Sequence, residues 1–223
     1  MSVWVLIPVK PLTRAKSRLS EVLTAEQRTH LAEATLRKTL SVVTQLPQVA
    51  GVLVISRDGR VLSLAREMGV HTVQESGAPE LNNALMRATQ VLAGWRADAV
   101  LILPSDMPLI NVEDLTQIIR LGQNNNAVVI ATDDRQDGTN ALFVRPPGMF
   151  SYAYGESSFS VHQRLGRLAG ATVHVYESER LMLDLDTPED LEKYRAYVRE
   201  GRFEAAPLLD DVSPPVESEE LID

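Results

Sequence analysis

The sequence contains no cysteine among its 223 residues. This absence excludes disulfide bonds, thiolate catalysis and cysteine-ligated metals, so any metal must bind to oxygen or imidazole ligands, and a reducing compartment is the natural location. No stretch reaches the roughly 18 apolar residues that a membrane-spanning helix requires. The apolar start, Met1–Val9, is short and lacks the basic leader of a signal peptide. We therefore expect a cytoplasmic protein that does not bind membranes.

Positive charge is also scarce. The chain has 22 Lys and Arg residues against 30 Asp and Glu residues, a formal net charge of -8. Such a surface repels a phosphate backbone, so nucleic acid is excluded as a partner, although a local basic pocket could bind one small anion. A homodimer is compatible with these features.

The composition is typical of a globular protein, with 44% hydrophobic and 23% charged residues. No Pro/Gly/Ser linker divides the chain, which favours one domain over residues 1–202. The character changes after Arg202, where residues 203–223 contain prolines and many acidic residues with little periodicity. We expect this segment to be a mobile acidic tail.

Short β-branched apolar runs alternate with longer segments of helical periodicity. This pattern predicts a Rossmann-like α/β fold with a mainly parallel mixed sheet and helices on both faces. The predicted strands are Val3–Val9, Val52–Ser56, Val70–Gln74, Ala99–Leu103, Ala127–Ala131, Ala141–Val144 and Thr172–Tyr176. The predicted helices are Ala25–Leu46, Arg60–Glu67, Leu81–Trp95, Val112–Leu121, Ser158–Leu168 and Pro188–Arg199. In such a sheet, ligands bind beyond the carboxyl ends of the strands.

A basic loop follows the first predicted strand and contains four cations, Lys10, Arg14, Lys16 and Arg18. In an acidic protein this cluster would attract an anion, and a triphosphate is a natural occupant. The loop lacks the glycines of a Walker loop and of a dinucleotide-binding fingerprint. A solvated basic loop is the alternative interpretation.

Carboxylates follow two other segments. Asp106 lies between two prolines after the strand that begins at Ala99, where it could bind Mg²⁺. Asp184 and Asp186 precede the last helix, and alternate positions of an extended segment face the same side. The structural alternative is that Asp106 orders a turn and that Asp186 supports the helix cap.

A polar segment, Asp137–Asn140, precedes a strand, and Gly155–Ser158 precedes a helix. The amides and the dipole at the amino end of that helix favour a phosphate or carboxylate near Ser158, although a hairpin turn and a plain helix cap explain the same residues. Asn82 could read a nucleobase edge or only cap its helix. Of the four histidines only His162 lies near this anion site, and no pair has the spacing of a zinc site.

Together these motifs resemble a family of enzymes, the phospholactate or phosphoenolpyruvate guanylyltransferases of deazaflavin coenzyme (F-420) biosynthesis, which are related to the molybdenum-cofactor guanylyltransferases. The resemblance depends on an ordered set that spans about residues 3 to 190: Ile7-Pro-Val-Lys-Pro-Leu12, Ala15-Lys-Ser-Arg-Leu19, Leu81-Asn82, Pro104-Ser-Asp-Met-Pro108, Asp137-Gly-Thr-Asn140, Gly155-Glu-Ser-Ser-Phe159 and Leu183-Asp-Leu-Asp-Thr-Pro188.

The resemblance implies that GMP is transferred from GTP to a small phosphorylated acid, with release of pyrophosphate and with Mg²⁺ as cofactor. Phosphoenolpyruvate is the first expected acceptor and 2-phospho-L-lactate the next. The implied roles are acid binding by Thr139, Gly155 and Ser158; metal binding by Asp106 with Asp184 or Asp186; catalysis by Asp106, Lys16 and Arg18; and nucleotide binding by Lys10, Lys16, Arg18 and Asn82.

Two other functions remain open from the residues. A nucleotide-sugar glycosyltransferase of similar architecture would use Asp184-x-Asp186 as its metal motif. A non-catalytic nucleotide-binding module would keep the fold without turnover.

Overall fold

The computed structural model describes residues 1–77 and 80–203. Within them a seven-stranded sheet has the order β3-β2-β1-β4-β6-β5-β7. Only β6 runs antiparallel to its neighbours. The strands are β1 (Val3–Val9), β2 (Val49–Ser56), β3 (His71–Gln74), β4 (Ala99–Ile102), β5 (Ala127–Thr132), β6 (Thr139–Arg145) and β7 (Thr172–Val175).

The helices lie on both faces of this sheet. They are α1 (Ala25–Val43), α2 (Gly59–Glu67), α3 (Leu81–Gly94), α4 (Val112–Leu121), α5 (Ser158–Leu168), α6 (Glu179–Met182) and α7 (Pro188–Arg199). Two 3₁₀ turns, Leu12–Arg14 and Ser17–Leu19, form the basic loop.

The predicted fold class is confirmed, as is each predicted strand and helix, apart from shifts at some ends. The largest shifts at a single end are three residues: β2 starts at Val49 rather than Val52, and α1 ends at Val43 rather than Leu46. The cap predicted for the last helix is present, because Thr187 and Asp190 form a capping box with Pro188 in the first turn. The sequence analysis missed α6 and the 3₁₀ turns, which are too short to show a helical period.

Two apolar layers of the core lie one on each face of the sheet, and a third cluster includes buried residues of α1 and α7. Along β1, Val3, Val5 and Ile7 belong to the layer under α1, α2 and α4. Trp4 and Leu6 belong to the layer under α3 and α5. Because successive side chains of a strand point to opposite faces, the unbroken apolar run of β1 fits a strand that is covered on both sides.

A β-bulge interrupts this alternation at the start of β6. Ala131 of β5 pairs with Ala141, but Thr132 pairs with Thr139, so Asn140 is an extra residue. Asn140 donates a hydrogen bond to the Leu181 carbonyl of α6 (2.8 Å), on one face of the sheet. Thr139 contacts α5, on the other face. The bulge therefore directs Thr139 towards α5.

The end of the described chain packs onto α7. The rings of Tyr197 and Phe203 lie 5.4 Å apart and edge-on. Phe203 is the only residue of the predicted acidic tail within the described range, and residues 204–223 of that prediction lie outside it. None of the helices in residues 1–77 and 80–203 has the length and apolar character to cross a membrane.

Candidate active site

The carboxyl edge of the sheet borders a cavity of about 370 Å³. Because β1, β2, β3 and β4 are parallel, the residues that follow each of them meet at this edge. The basic loop after β1 forms one wall with Lys10, Arg14 and Lys16. The other polar walls come from Arg57 after β2, Glu75 after β3, Asp106 after β4 and Glu80 at the start of α3.

Lys16 and Asp106 form an ion pair at the base of this cavity. Lys16 Nζ lies 3.2 Å from Asp106 Oδ2, and the Lys16 side chain is only 5% exposed. Lys16 has the left-handed backbone angle φ of +57°, which is uncommon for a residue with a side chain. This turn brings a buried ammonium group from the loop after β1 to the aspartate after β4.

Asp184 lies close enough to Asp106 for the two carboxylates to repel. The pKa of Asp184 is raised to about 7, first by burial and then by the charges of Asp106 and Asp190, against a lowering contribution from Lys16. A backbone bond from Leu185 N to the Asp106 carbonyl (3.1 Å) holds the two segments together. The structure thus brings together Asp106 and Asp184, and their role as metal ligands stays a prediction.

Asp186 faces a second, smaller cavity. Its carboxylate accepts a hydrogen bond from Arg18 at 3.0 Å, and Arg18 is largely exposed. Both residues and Asp184 line this cavity of about 90 Å³, whereas Lys16 and Asp106 line the larger one. Asp184 therefore lines the smaller cavity, while its carboxylate interacts with the charge of Asp106 at the larger one.

The donor set at this edge fits a hard divalent cation. A bound cation would relieve the repulsion between the carboxylates of Asp106 and Asp184. Mg²⁺ binds to one or two protein carboxylates when substrate phosphates complete its coordination shell. Among the residues that the structure describes, no group of three or more His, Asp or Glu side chains could hold a metal ion by itself.

A hydrogen-bond chain joins the residues predicted to bind the acid. Ala153 N donates to His162 Nε2 (3.0 Å), so the proton of the neutral ring lies on Nδ1, which donates to Thr139 Oγ1 (3.0 Å). Thr139 Oγ1 in turn donates to Ser158 Oγ (3.2 Å). All three side chains are buried. The chain orients two hydroxyl groups at the amino end of α5.

The loop before α5 has a fixed shape. Gly155 has a φ of +142°, a conformation that side chains rarely adopt, and its carbonyl accepts a hydrogen bond from Ser158 N at 3.3 Å. The carboxylate of Asp137 accepts hydrogen bonds from Ser157 N and Ser157 Oγ. The hairpin turn that is the alternative interpretation of Asp137 is present between β5 and β6. Asp137 in this turn also holds the loop before α5 through its bonds from Ser157.

Asn82 forms hydrogen bonds with the backbone of Tyr154, a residue that lines the larger cavity. Its side-chain amide accepts a hydrogen bond from Tyr154 N (2.7 Å) and donates one to the Tyr154 carbonyl (3.1 Å). Tyr154 lines that cavity, and its ring packs edge-on against His162 at 4.9 Å. Asn82 therefore acts on the cavity through Tyr154, and its predicted contact with a nucleobase stays a prediction.

Comparison with known proteins identifies the family of this chain. The protein-family model described as CofC-like guanylyl transferase matches residues 3–197. The chain belongs to this family. The resemblance found in the sequence and the enzyme class, nucleotidyltransferase, are thereby confirmed.

Relatives of this CofC-like chain are named for two acceptors. A phosphoenolpyruvate guanylyltransferase from Rubrobacter xylanophilus is 37% identical over 88% of this chain and 95% of its own length. One from Thermobaculum terrenum is 36% identical over 86% of this chain and 82% of its own. A 2-phospho-L-lactate guanylyltransferase from Methanothermobacter thermautotrophicus is 36% identical over 93% of this chain and 94% of its own.

Solved structures support the fold of this CofC-like chain. A nucleotide-diphospho-sugar transferase from Desulfovibrio desulfuricans aligns with a TM-score of 0.76 at 19% identity, covering 95% of both chains. A nucleotidyl transferase from Methanothermobacter thermautotrophicus aligns with a TM-score of 0.63 at 16% identity, covering 90% of this chain and 99% of that one. At these identities the likeness concerns the fold alone.

The sequence analysis of this CofC-like chain overlooked Arg57, Glu75 and Tyr154 at the larger cavity. Arg57 and Glu75 each follow directly on a parallel strand, so the rule that ligands bind beyond strand ends would have indicated both. Tyr154 gave no such signal, because it lies in an irregular segment far along the chain from the other lining residues.

The buried His162 predicts a pH-dependent stability. Burial lowers its pKa from 6.5 to about 4. The unfolded chain therefore takes up the proton first as the pH falls, so the stabilisation is complete above about pH 6.5 and is lost progressively towards about pH 4. One site of this kind lowers the free energy of unfolding by up to about 1.4 kcal/mol per pH unit in that window.

We expect His162→Gln to be less stable than the wild type at neutral pH but to lose less stability on acidification. Urea unfolding at pH 7.5 and pH 5 should show a difference in loss of up to about 2 kcal/mol between the two proteins. Equal losses in both proteins would contradict the assignment of a buried neutral ring.

Proposed function

We propose that this protein transfers GMP from GTP to phosphoenolpyruvate, with 2-phospho-L-lactate as the second candidate acceptor, in the cytoplasm and as a step of deazaflavin coenzyme biosynthesis. The relatives named for these two acids support the choice. The observation that carries it is the Lys16–Asp106 pair with Asp184 beside it, which brings a cation and two carboxylates to the edge where α5 presents Ser158. Small molecules are the proposed partners, and a homodimer remains a hypothesis.

The proposed reaction needs no strong general base. An oxygen of the acceptor's phosphate attacks the α-phosphorus of GTP and forms a new P–O bond. The bond between the α-phosphorus and the oxygen that bridges it to the β-phosphorus breaks, and pyrophosphate leaves. The attacking phosphate is already ionised at neutral pH. Orientation and neutralisation of charge can therefore supply the catalysis.

Asp106 and Asp184 would hold Mg²⁺, with Asp186 as an alternative ligand. When bound, the ion supplies charge neutralisation between the attacking and leaving oxygens. Asp106 also orients the Lys16 ammonium at 3.2 Å, where that ammonium can bind a phosphate oxygen of the nucleotide.

The remaining cations divide between the two cavities. Lys10 lines the larger cavity, where it would bind the triphosphate, whereas Arg18 lines the smaller one and is mostly exposed. Arg18 can thus leave Asp186 and bind the departing pyrophosphate, because an exposed ion pair contributes little free energy.

Thr139, Gly155 and Ser158 would bind the acid. The hydroxyl groups of Thr139 and Ser158 are oriented through His162, and the amides at the amino end of α5 favour an anion there. The neutral His162 ring adds no charge that would trap the product.

A pyrophosphate-release assay tests the proposal. The purified protein is given GTP with phosphoenolpyruvate, 2-phospho-L-lactate or 3-phosphoglycerate, each with and without Mg²⁺. We expect Mg²⁺-dependent release that is fastest with phosphoenolpyruvate. GTP binding without turnover on any acid would favour the non-catalytic module, and sugar transfer from a nucleotide sugar would favour the glycosyltransferase.

Ser158→Ala tests the proposed acid-binding site. Because one hydrogen bond to a charged ligand is lost, we expect the KM for the acid to rise about tenfold, with the KM for GTP changed by less than about twofold. Ser160→Ala on the same helix is the control, since Ser160 is exposed and bonds only to the Ser157 carbonyl. Equal increases in both KM values for Ser158→Ala would contradict separate sites for the two substrates.

A further inference from the structure

The larger cavity has two chemically different ends. The end formed by the loops after β1 and β4 holds Lys10, Lys16 and Asp106. The end formed by the segments after β2 and β3 holds Arg57 and Glu75. A nucleoside triphosphate with its phosphates at the first end has its base at the second, so the residues after β2 and β3 are the ones that can distinguish one base from another.

Unused hydrogen-bonding groups concentrate at this cavity. In the part of the chain that the structure describes, three buried side-chain atoms have no hydrogen-bond partner, namely Arg57 Nε, Tyr154 Oη and His174 Nε2. Two of them, on Arg57 and Tyr154, belong to residues that line the cavity. A buried polar atom without a partner is costly, and a ligand that supplies the partner removes that cost.

Two glutamates line the same region, and their environments differ. Glu80 caps α3, and its two oxygens accept hydrogen bonds from Asn82 N and Asn83 N. Glu75 Oε1 accepts one from Arg57 Nη2 at 3.0 Å, and Oε2 accepts none from the described residues. Only Glu75 therefore has a carboxylate oxygen free for a ligand.

Glu75 is also held in place. Arg57 donates from Nη2 both to Glu75 and to the Gly77 carbonyl, at 3.0 and 2.6 Å. Glu75 N donates to the Ser56 carbonyl at 2.9 Å, which extends the pairing of β2 with β3 by one residue. The carboxylate is thus largely buried, at 16% exposure, and fixed relative to the sheet.

A fixed carboxylate with a free oxygen fits one nucleobase in particular. Guanine carries adjacent N–H donors on N1 and on its 2-amino group, and adenine presents an acceptor at N1 instead. A carboxylate only accepts hydrogen bonds, so it pairs with the guanine edge and repels the adenine N1 lone pair. The Arg57 guanidinium beside it lines the same cavity, and its side chain is 30% exposed, so it offers a donor for the guanine O6.

We propose that Glu75, positioned by Arg57, binds the N1–H and 2-amino edge of guanine and thereby selects GTP. This inference rests on the proposed function, since it assigns a residue to the base of the proposed donor. Glu75 follows β3 and therefore lies outside the loops that carry Lys16, Asp106 and Ser158.

The first measurement uses the wild-type protein with GTP, ITP and ATP. ITP lacks only the 2-amino group, so we expect its kcat/KM to be about 10- to 100-fold lower than that of GTP, the loss expected for one hydrogen bond to a charged group. Equal kcat/KM for ITP and GTP would overturn the inference. No turnover with GTP and any acid would instead refute the proposed function.

The second measurement uses Glu75→Gln, with Glu80→Gln as the matched control. The glutamine amide can donate to adenine N1 and accept from its 6-amino group, so we expect the GTP-to-ATP ratio of kcat/KM to fall at least about tenfold and the GTP-to-ITP ratio to approach one. Glu80→Gln should keep both ratios, because that side chain is occupied by the cap of α3. Ratios for Glu75→Gln within twofold of the wild type would overturn the inference.

Should Glu75→Gln not fold, Glu75→Asp provides the same information. It keeps the charge but shortens the side chain by one methylene, so the contact with the base is lost while the acidic character of the cavity remains. We expect the GTP-to-ITP ratio of kcat/KM to fall severalfold, and an unchanged ratio would count against Glu75.

Discussion

Asp106→Asn is expected to lower the rate of pyrophosphate release by about a thousandfold, equivalent to about 4 kcal/mol of transition-state stabilisation. The substitution keeps the size of the side chain but removes the charge that pairs with Lys16 at 3.2 Å and that faces Asp184. Binding of the divalent cation should weaken in parallel, which titration with Mn²⁺ followed by electron paramagnetic resonance can measure. The expected result is loss of turnover in a folded protein.

Two controls separate this effect from damage to the fold. The Asp106→Asn variant should still unfold in one cooperative transition, because the loss of the ion pair with Lys16 is offset in part by the removal of the repulsion between Asp106 and Asp184. Asp98→Asn changes an acid at the opposite edge of the sheet, where Asp98 accepts a hydrogen bond from Ser2 N, and it should leave turnover unchanged. A wild-type rate for Asp106→Asn would refute the proposed metal ligand.

Lys16→Met is expected to reduce kcat by about a hundredfold or more, the effect typical of losing one preorganised charge at a phosphoryl centre. The Lys16 side chain is 5% exposed and paired with Asp106, so its removal leaves that carboxylate without its cation. Methionine has a similar length and no charge. Pyrophosphate release under saturating GTP and acid measures the change.

Lys38→Met is the matched control for Lys16→Met, because Lys38 lies on α1 and lines neither cavity. The double variant Lys16→Met with Asp106→Asn should lose less activity than the product of the two single losses, since the residues form one pair. Fully additive losses would show that Lys16 and Asp106 act independently and would contradict the paired site.

The sequence predicted the framework of the site because its physical basis is local. The apolar runs of β1 and β4 are buried on both sides, and in a parallel arrangement their carboxyl ends must meet, which brings Lys16 near Asp106. The same rule applies to Glu75, although the sequence analysis did not extend it to the short strand β3.

Other parts could not be derived from periodicity. Thr139 is the first residue of its strand, so the strand-end rule does not indicate it, and it lies at the carboxyl edge of the parallel strands only because β6 is antiparallel. The short helix α6 depends on tertiary contacts, since Arg180 and Tyr176 both donate to the fully buried carboxylate of Asp114. A buried acid on α4 gives no signal in the sequence that distinguishes it from an exposed one.

The bulge at Asn140 links β6 to the segment that carries Asp184. One extra residue allows Thr139 to face α5 while Asn140 donates to the Leu181 carbonyl, just before the segment that carries Asp184. Deleting Asn140 would place Thr139 directly beside Ala141 in regular pairing, so the threonine would stay on the α5 face while the hydrogen bond to the Leu181 carbonyl would be lost. The contact between β6 and the segment that leads to Asp184 therefore depends on the one extra residue of this strand, and a deletion there would break that contact without moving Thr139 to the other face.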